Sequence, residues 1–454
     1  MAVTLRPDNG EVGKGGTGRR PRYRPVARLT EFQLLIAPAL LTIVGLLTIY
    51  LAPRGDLLWS WGDIWVSLLY AGLIAGISIA FSLFRFRADQ LVLPIVATLA
   101  GLGLLVIQRL QPDLEGLDER LAGLASRQVF YMTAGLALMV GVALFRPLLP
   151  LLRRYKYTAL VMSLALLAIT FLFGVEVGGA RLWLYLGPIQ IQPSEIVKVT
   201  LIIFLAGYLD EKRDLLTGGW RLGRLTLPPL PWLLPLGLMW GASILTVVVL
   251  NDLGSGLLFF SIFLVMLYAA TGRGWYVVTG LAAFALACVV LFQLFGRIAI
   301  RVQNWLDPFV DPYDAGYQQI QSDYAFASGG LFGSGLGLGE PRFVSQVQTD
   351  YVFAAYGEEL GLLGTLAIIA LFLLLVLRAF IIALSADDTF DRLVAIGIGA
   401  TIGIQTLIIL GGVVRLIPLT GITLPFISYG GSSLLTNFIL IGLLLNISNR
   451  RSRT

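Results

Sequence analysis

Three carboxylates, Asp307, Asp311 and Asp314, fall within eight residues, two of them in Asp-Pro pairs, and are followed by Gln318, Gln319 and Gln321 and then by a glycine run over 329–339. The chain has no histidine, and its single cysteine, Cys288, lies in an apolar run. Those absences exclude a Ser-His-Asp triad, a His-ligated zinc, a histidine proton relay and an intrachain disulfide. Acid–base chemistry therefore falls to carboxylates. An Asp-Pro pair is an ordinary turn former, with Asp accepting from nearby backbone N–H groups and Pro fixing its own φ. It is equally what a general base would look like if one carboxylate were partly desolvated at a membrane surface, with its pKa raised by burial. Spacing alone leaves both readings of Asp307 and Asp311 open.

The glycine run lacks the Gly-Lys-Ser/Thr ending of a P-loop, so it reads as a loop packed closely on helices or a lipid headgroup. In Gln192-Pro193-Ser194-Glu195-Ile196-Val197-Lys198, the early Pro and first-turn Glu open a helix. Lys198 lies three residues past Glu195, on the same face. A charge at the bilayer centre costs about 2.5–3.5 kcal/mol on insertion scales. The two side chains therefore either pair inside, lining a polar cavity, or snorkel outward. Asp350, Glu358 and Glu359 are explained by the positive end of the helix they precede or open. The segment 418–433 holds two prolines and three glycines, and non-helical backbone at that depth is tolerated only when buried in protein or lining a water-filled cavity. It is expected to wall the same site.

Elements able to hold these residues follow from composition. The 454 residues are 57% hydrophobic and 13% charged, with mean hydropathy +0.83, where a soluble domain carries about 25% charge. This is the signature of an all-α, polytopic integral membrane protein. Spans of about 20 apolar residues are expected near 34–53, 63–83, 91–108, 127–145, 157–174, 194–210, 230–250, 254–271, 275–296, 351–377, 393–414 and 430–447, about twelve helices. The stretch 1–33 reads as a disordered basic cytoplasmic tail, with Arg19, Arg20, Arg22, Arg24 and Arg28. With the tail inside, the other inside segments carry Arg85 and Arg87, then Arg146, Arg153, Arg154 and Lys156, then Lys212, Arg213, Arg221 and Arg224, then Arg450, Arg451 and Arg453, as the positive-inside rule requires. Both termini are then cytoplasmic, and the large loop 297–350 is extracytoplasmic with the loops 109–126, 175–193 and 415–429. A site facing outward has no free ATP, so its substrate must arrive already activated. The net charge of +6 is accounted for by the inside loops and calls for no nucleic acid.

Several motifs in this order resemble one family. They are Gly179-Ala180-Arg181-Leu182-Trp183, the Gln-Pro-Ser-Glu-x-x-Lys segment, Asn251-Asp252-Leu253-Gly254-Ser255-Gly256, the Asp-Pro loop with Gly316-Tyr317-Gln318 and Gln321-Ser322, Thr349-Asp350-Tyr351-Val352-Phe353-Ala354 with Glu358-Glu359-Leu360-Gly361, and the terminal Pro-Leu-Thr-Gly, Leu-Pro-Phe and Gly-Gly-Ser-Ser. From about residue 91 onward the chain resembles the SEDS (shape, elongation, division and sporulation) proteins of the RodA and FtsW type. The resemblance implies a membrane core of about ten helices over 91–454, so that the two helices within 34–90 look like an addition.

It further implies a peptidoglycan glycosyltransferase that polymerises lipid II on the outer face of the cytoplasmic membrane, for elongation or division, together with a class B penicillin-binding protein. The family's essential aspartate matches Asp311. Substrate contacts are implied for Arg181, Glu195, Lys198, Asp307, Gln318, Gln321, Ser322, Thr349 and Ser432, with Arg181 and Lys198 offsetting charge on a departing diphosphate. A divalent cation, Mg or Mn, could share that role, although the sequence shows no dedicated cluster of metal ligands. Many relatives have Arg immediately before the Trp, where this chain has Leu182, and His before Thr-Asp, where it has Gln348. Two other readings remain: a lipid II flippase, and a non-catalytic scaffold for the penicillin-binding protein.

Overall fold

The computed structural model describes residues 28–52, 64–177, 180–187, 189–217, 220–222, 225–227 and 250–451, with Gly237, Gly241 and Thr246. Most of the expected helix at 230–250 and most of the expected basic tail lie outside the described residues. The helices are α1 (Leu29–Leu51), α2 (Trp65–Leu83), α3 (Val92–Glu115), α4 (Leu124–Leu144), α5 (Leu148–Arg154), α6 (Lys156–Phe173), α7 (Pro193–Thr217), α8 (Leu253–Thr271), α9 (Gly274–Leu294), α10 (Gly296–Leu306), α11 (Tyr317–Gly329), α12 (Val352–Leu384), α13 (Thr389–Val413) and α14 (Gly431–Arg451). Antiparallel strands β1 (Val175–Val177), β2 (Ala180–Leu186) and β3 (Ile189–Ile191) make a small sheet before α7, and β4 (Trp220–Leu222) pairs with β5 (Leu225–Leu227) after it.

Ten of these helices are long and apolar enough to cross a membrane. The expected count of twelve is not reached by them. α7 is a full helix, but its charges at Glu195, Lys198 and 210–213 keep it out of an apolar count. α3, α13 and α14 are buried along most of their length, whereas α9 buries almost none of its apolar surface, as befits a helix facing lipid. α1 starts at Leu29, inside the stretch expected to be tail, because Arg28 and Glu31 are buried as a pair. Arg28 also donates to the carbonyls of Phe86 (2.7 Å) and Ala88 (3.2 Å), which satisfies a guanidinium that would otherwise be costly to bury.

Segments expected on one side gather at one end of the helices. Asp89 meets Arg378 and its N–H donates to Ser448, Arg153 pairs with Asp210 and Asp388, and Arg450 with Asp391. At the other end Arg109 reaches Gly339, the N–H of Gln192 reaches Ser432, and that of Tyr429 the carbonyl of Gln348. The segment 297–350, expected as one irregular loop, contains α10 and α11. α10 was hidden because it is short and strongly two-faced, with no apolar run to reveal it.

Candidate functional site

Asp311 sits on a hairpin turn between α10 and α11. Asp307 caps the single turn that follows it by accepting from the Phe309 N–H (2.9 Å), and Asp311 accepts from the Ala315 N–H (3.4 Å). The chain then doubles back so tightly that a side chain on Gly316 would meet the Pro308 carbonyl oxygen at 1.9 Å. The Gly316 N–H bonds the Asp311 carbonyl at 2.8 Å, and Asn304 donates to the Ala315 carbonyl at 2.7 Å. These contacts hold the turn and leave the Asp311 carboxylate exposed. The protein itself therefore does not enclose this carboxylate.

The burial falls elsewhere. Asp350 precedes α12 and lies against Gly421; enclosure by protein pushes its carboxyl up to about 6, an effect opposed by a hydrogen bond from Thr349 and by the Arg301 charge. Asp252 caps α8, accepting from the Ser255 N–H (2.9 Å), is 5% exposed, and leaves Oδ2 without a partner. Arg301 of α10 acts electrostatically on both carboxylates and donates to the Thr420 carbonyl (3.4 Å). It is the charged side chain lining an otherwise apolar cavity of about 660 Å³ between α8, α9, α10 and 417–420.

A third group is the Glu195–Lys198 pair. The snorkelling alternative fails: Lys198 is 1% exposed and donates to Glu195 (2.6 Å), Gln405 (3.1 Å) and Asn437 (3.2 Å). An ammonium has three protons, so Lys198 is saturated. Glu195 also accepts from Thr436 (3.0 Å), and Gln405 donates to the Thr423 carbonyl (2.8 Å), which ties the lattice to 414–430. That segment is irregular, with Ile422 and residues 424–428 buried, and Ser428 donates to the Thr349 carbonyl (2.6 Å).

The remaining predicted residues divide. Gln318 donates to the Ser345 carbonyl (2.7 Å), and Thr349 to that of Gln346 (3.3 Å). Ser432 accepts from the Gln192 N–H (3.1 Å), and Gln321 is half-buried on α11. Ser322 is fully buried with an unpartnered hydroxyl. Arg181 is half exposed on β2 beside Glu176 (3.9 Å), and the structure does not bring it to the Asp311 turn. Sequence reasoning missed Arg301, Arg109, Gln405 and Asn437. The signal for Arg301 was its spacing of four from Arg297 on a two-faced helix; the amides carried none beyond being polar inside apolar runs. Among the described residues no three Cys, Asp or Glu side chains stand close enough to hold a metal ion. Asp252 and Asp350 already feel the positive charge of Arg301, which does not fit a dedicated cation site.

The family described as "Cell cycle protein" (FtsW, RodA, SpoVE) matches residues 89–453. The chain belongs to this family, whose members include the SEDS proteins. It is 40% identical over 433 residues to the peptidoglycan glycosyltransferase RodA of Mycobacterium tuberculosis, covering 94% of this chain and 92% of that one. The fold matches a chain of a peptidoglycan synthase complex, described as coordinating polymerization and crosslinking, with TM-score 0.64, 27% identity, and coverage of 81% of this chain and 99% of that one. It also matches the rod shape determining protein RodA of Thermus thermophilus, with TM-score 0.56 and 27% identity, covering 80% and 97%. In this SEDS frame, α1 and α2 precede the residues that the family match spans.

Proposed function

We propose that this peptidoglycan glycosyltransferase of cell shape or division polymerises lipid II at the outer face of the cytoplasmic membrane, with Asp311 as general base. The observation that carries the reading is family membership joined to an exposed carboxylate held on a tightly pinned turn at the end of the helix bundle that gathers every loop expected outside. Residues 91–454 form the catalytic membrane core, 34–90 an addition to it, and both termini are cytoplasmic.

The C4 hydroxyl of an acceptor GlcNAc attacks the anomeric carbon of a donor MurNAc and loses its proton to Asp311. The bond to the undecaprenyl diphosphate breaks with its electron pair on the departing oxygen, and the configuration inverts. An activated donor of this kind needs no nucleotide. The cation we assign to the diphosphate is Arg301, in place of Arg181, which points elsewhere, and Lys198, which is saturated. Arg301 stands where an apolar cavity suited to an isoprenoid chain meets the polar end of the protein, where a fixed positive charge opposes charge developing on the leaving group. The charge of Arg301 acts on Asp252 and Asp350. No step is routed through a metal. A class B penicillin-binding protein would crosslink the strands made here.

The test is polymerisation of labelled lipid II by the purified protein, alone and with its class B penicillin-binding protein. Glycan ladders are expected. Lipid II crossing a reconstituted bilayer without ladders would replace the transferase by a flippase, and neither activity would leave a scaffold. Sidedness is checked separately by a cysteine at Ser334, which should label from outside; labelling only from the cytoplasm would invert the orientation.

A further inference from the structure

The outer end of α1 lies directly on the glycine run. A side chain on Gly337 (φ +86°) would meet the Cβ of Ala52 at 3.3 Å and the Cα of Ile49 at 3.4 Å. Leu336 packs on Leu46, Ile49 and Leu105, each at most 2% exposed, in an apolar cluster separate from the main core. The same stretch hangs from a buried ion pair. Arg109 donates to Glu359 (2.9 Å), Asp113 (2.7 Å) and the Gly339 carbonyl (2.8 Å), while Glu359 accepts from the Gly337 N–H (3.1 Å).

Just beyond, α12 is broken at Gly361 (φ 66°), and the glycine run takes up the backbone groups that the break exposes. The N–H groups of Ser334 and Gly335 donate to Glu358 and Glu359 (2.9 and 3.0 Å), and those of Leu362 and Leu363 to Gly330 and Leu331 (3.0 and 3.2 Å). The run leads back through α11 to the Asp311 turn. The other end of α1 is fixed by the buried Arg28–Glu31 pair. α1 is thus anchored at both ends, and it lies outside the family match.

We propose that α1 is a positioning strut for the transferase site: through Ile49, Ala52 and Leu336 it holds the glycine run on the Arg109–Glu359 pair, and so sets where α11 presents the Asp311 turn. This rests on the transferase reading, so the test has one arm that needs no activity.

In a Cys288→Ser background, Ala52→Cys with Gly337→Cys should form a disulfide on mild oxidation, because the two Cβ positions stand near disulfide separation. In the full-length chain, Leu336→Ala and Ile49→Ala should each lower kcat about 5–10-fold with KM for lipid II within about twofold, as a displaced turn would. The double variant should be no worse than the poorer single one, and Leu336→Met should restore the rate. Free thiols that label but never join would overturn the contact. Unchanged kcat, or losses that follow the melting temperature, would overturn the positioning role. A crosslink in the double-cysteine variant together with no polymer from wild type would overturn the transferase and the positioning role with it, leaving the contact.

Discussion

The lattice around Lys198 and the turn that carries Asp311 solve opposite problems with the same kinds of residue. Lys198 and Glu195 are buried, and all three protons of the Lys198 ammonium are used, across three helices and an irregular segment. Asp311 is exposed, and its carboxylate makes one long hydrogen bond within its own turn. Buried charge has to be satisfied by the fold itself, and once satisfied it has little left to give a substrate. Exposed charge on a rigid turn keeps its bonding capacity for something that arrives. On the proposed reading, holding and reacting are separated in space, with the half-buried Arg301 at the border.

The contrast can be broken most severely at Lys198. Lys198→Met strands the Glu195 carboxylate in the interior, and removing one partner of a buried pair costs about 3–5 kcal/mol. A sharp fall in melting temperature in detergent is expected, and Glu195→Gln added to Lys198→Met should recover most of it. If the single variant melts like wild type, the lattice is not what holds α7, α13 and α14 together.

At the border, Arg301→Gln should lower the polymerisation rate about 100-fold, the usual effect of removing one group that stabilises developing negative charge. Its melting temperature should move far less than that of Lys198→Met. A rate within a few-fold of wild type would return the diphosphate to another cation.

Asp350 sharpens the comparison through pH. Its carboxyl titrates at about 6 in the folded protein against an ordinary 3.8, so as pH rises the unfolded chain gives up this proton first. The group therefore removes stability across roughly pH 4 to 6. Asp350→Asn should melt close to wild type below about pH 4 and above it beyond about pH 6, with the gap opening in between. A gap that stays constant across that window would mean Asp350 is not buried as described.

The smallest effect belongs to Asp307, whose side chain caps one exposed turn. Asp307→Asn keeps a capping oxygen, so it should cost no more than a few tenths of a kcal/mol and leave polymerisation within about threefold of wild type in the same ladder assay. A loss as deep as that of Arg301→Gln would promote Asp307 to the chemistry.

Most of the spans were legible because a run of about 20 apolar residues has few alternatives to a membrane helix. Asp311 itself stood out as part of a carboxylate cluster in a protein without histidine. What stayed hidden depends on partners distant in sequence. Lys198 meets Gln405 across 207 residues and Arg109 meets Glu359 across 250. Arg109 looked like the flank of a helix expected to stop at 108, whereas α3 runs to Glu115 and carries it inside. Burial is also a property of the assembled fold, which is why the sequence did not show that protein encloses Asp350 more closely than Asp311.

The central claim is that an exposed carboxylate, held by the fold and not used to hold it, is the base. It is tested most directly by comparing polymerisation of labelled lipid II by wild type and Asp311→Asn, each with its melting temperature. The account predicts ladders from wild type, none from the variant, and unchanged melting. Ladders from a folded Asp311→Asn protein, or a variant inactive only because it unfolds, would contradict it.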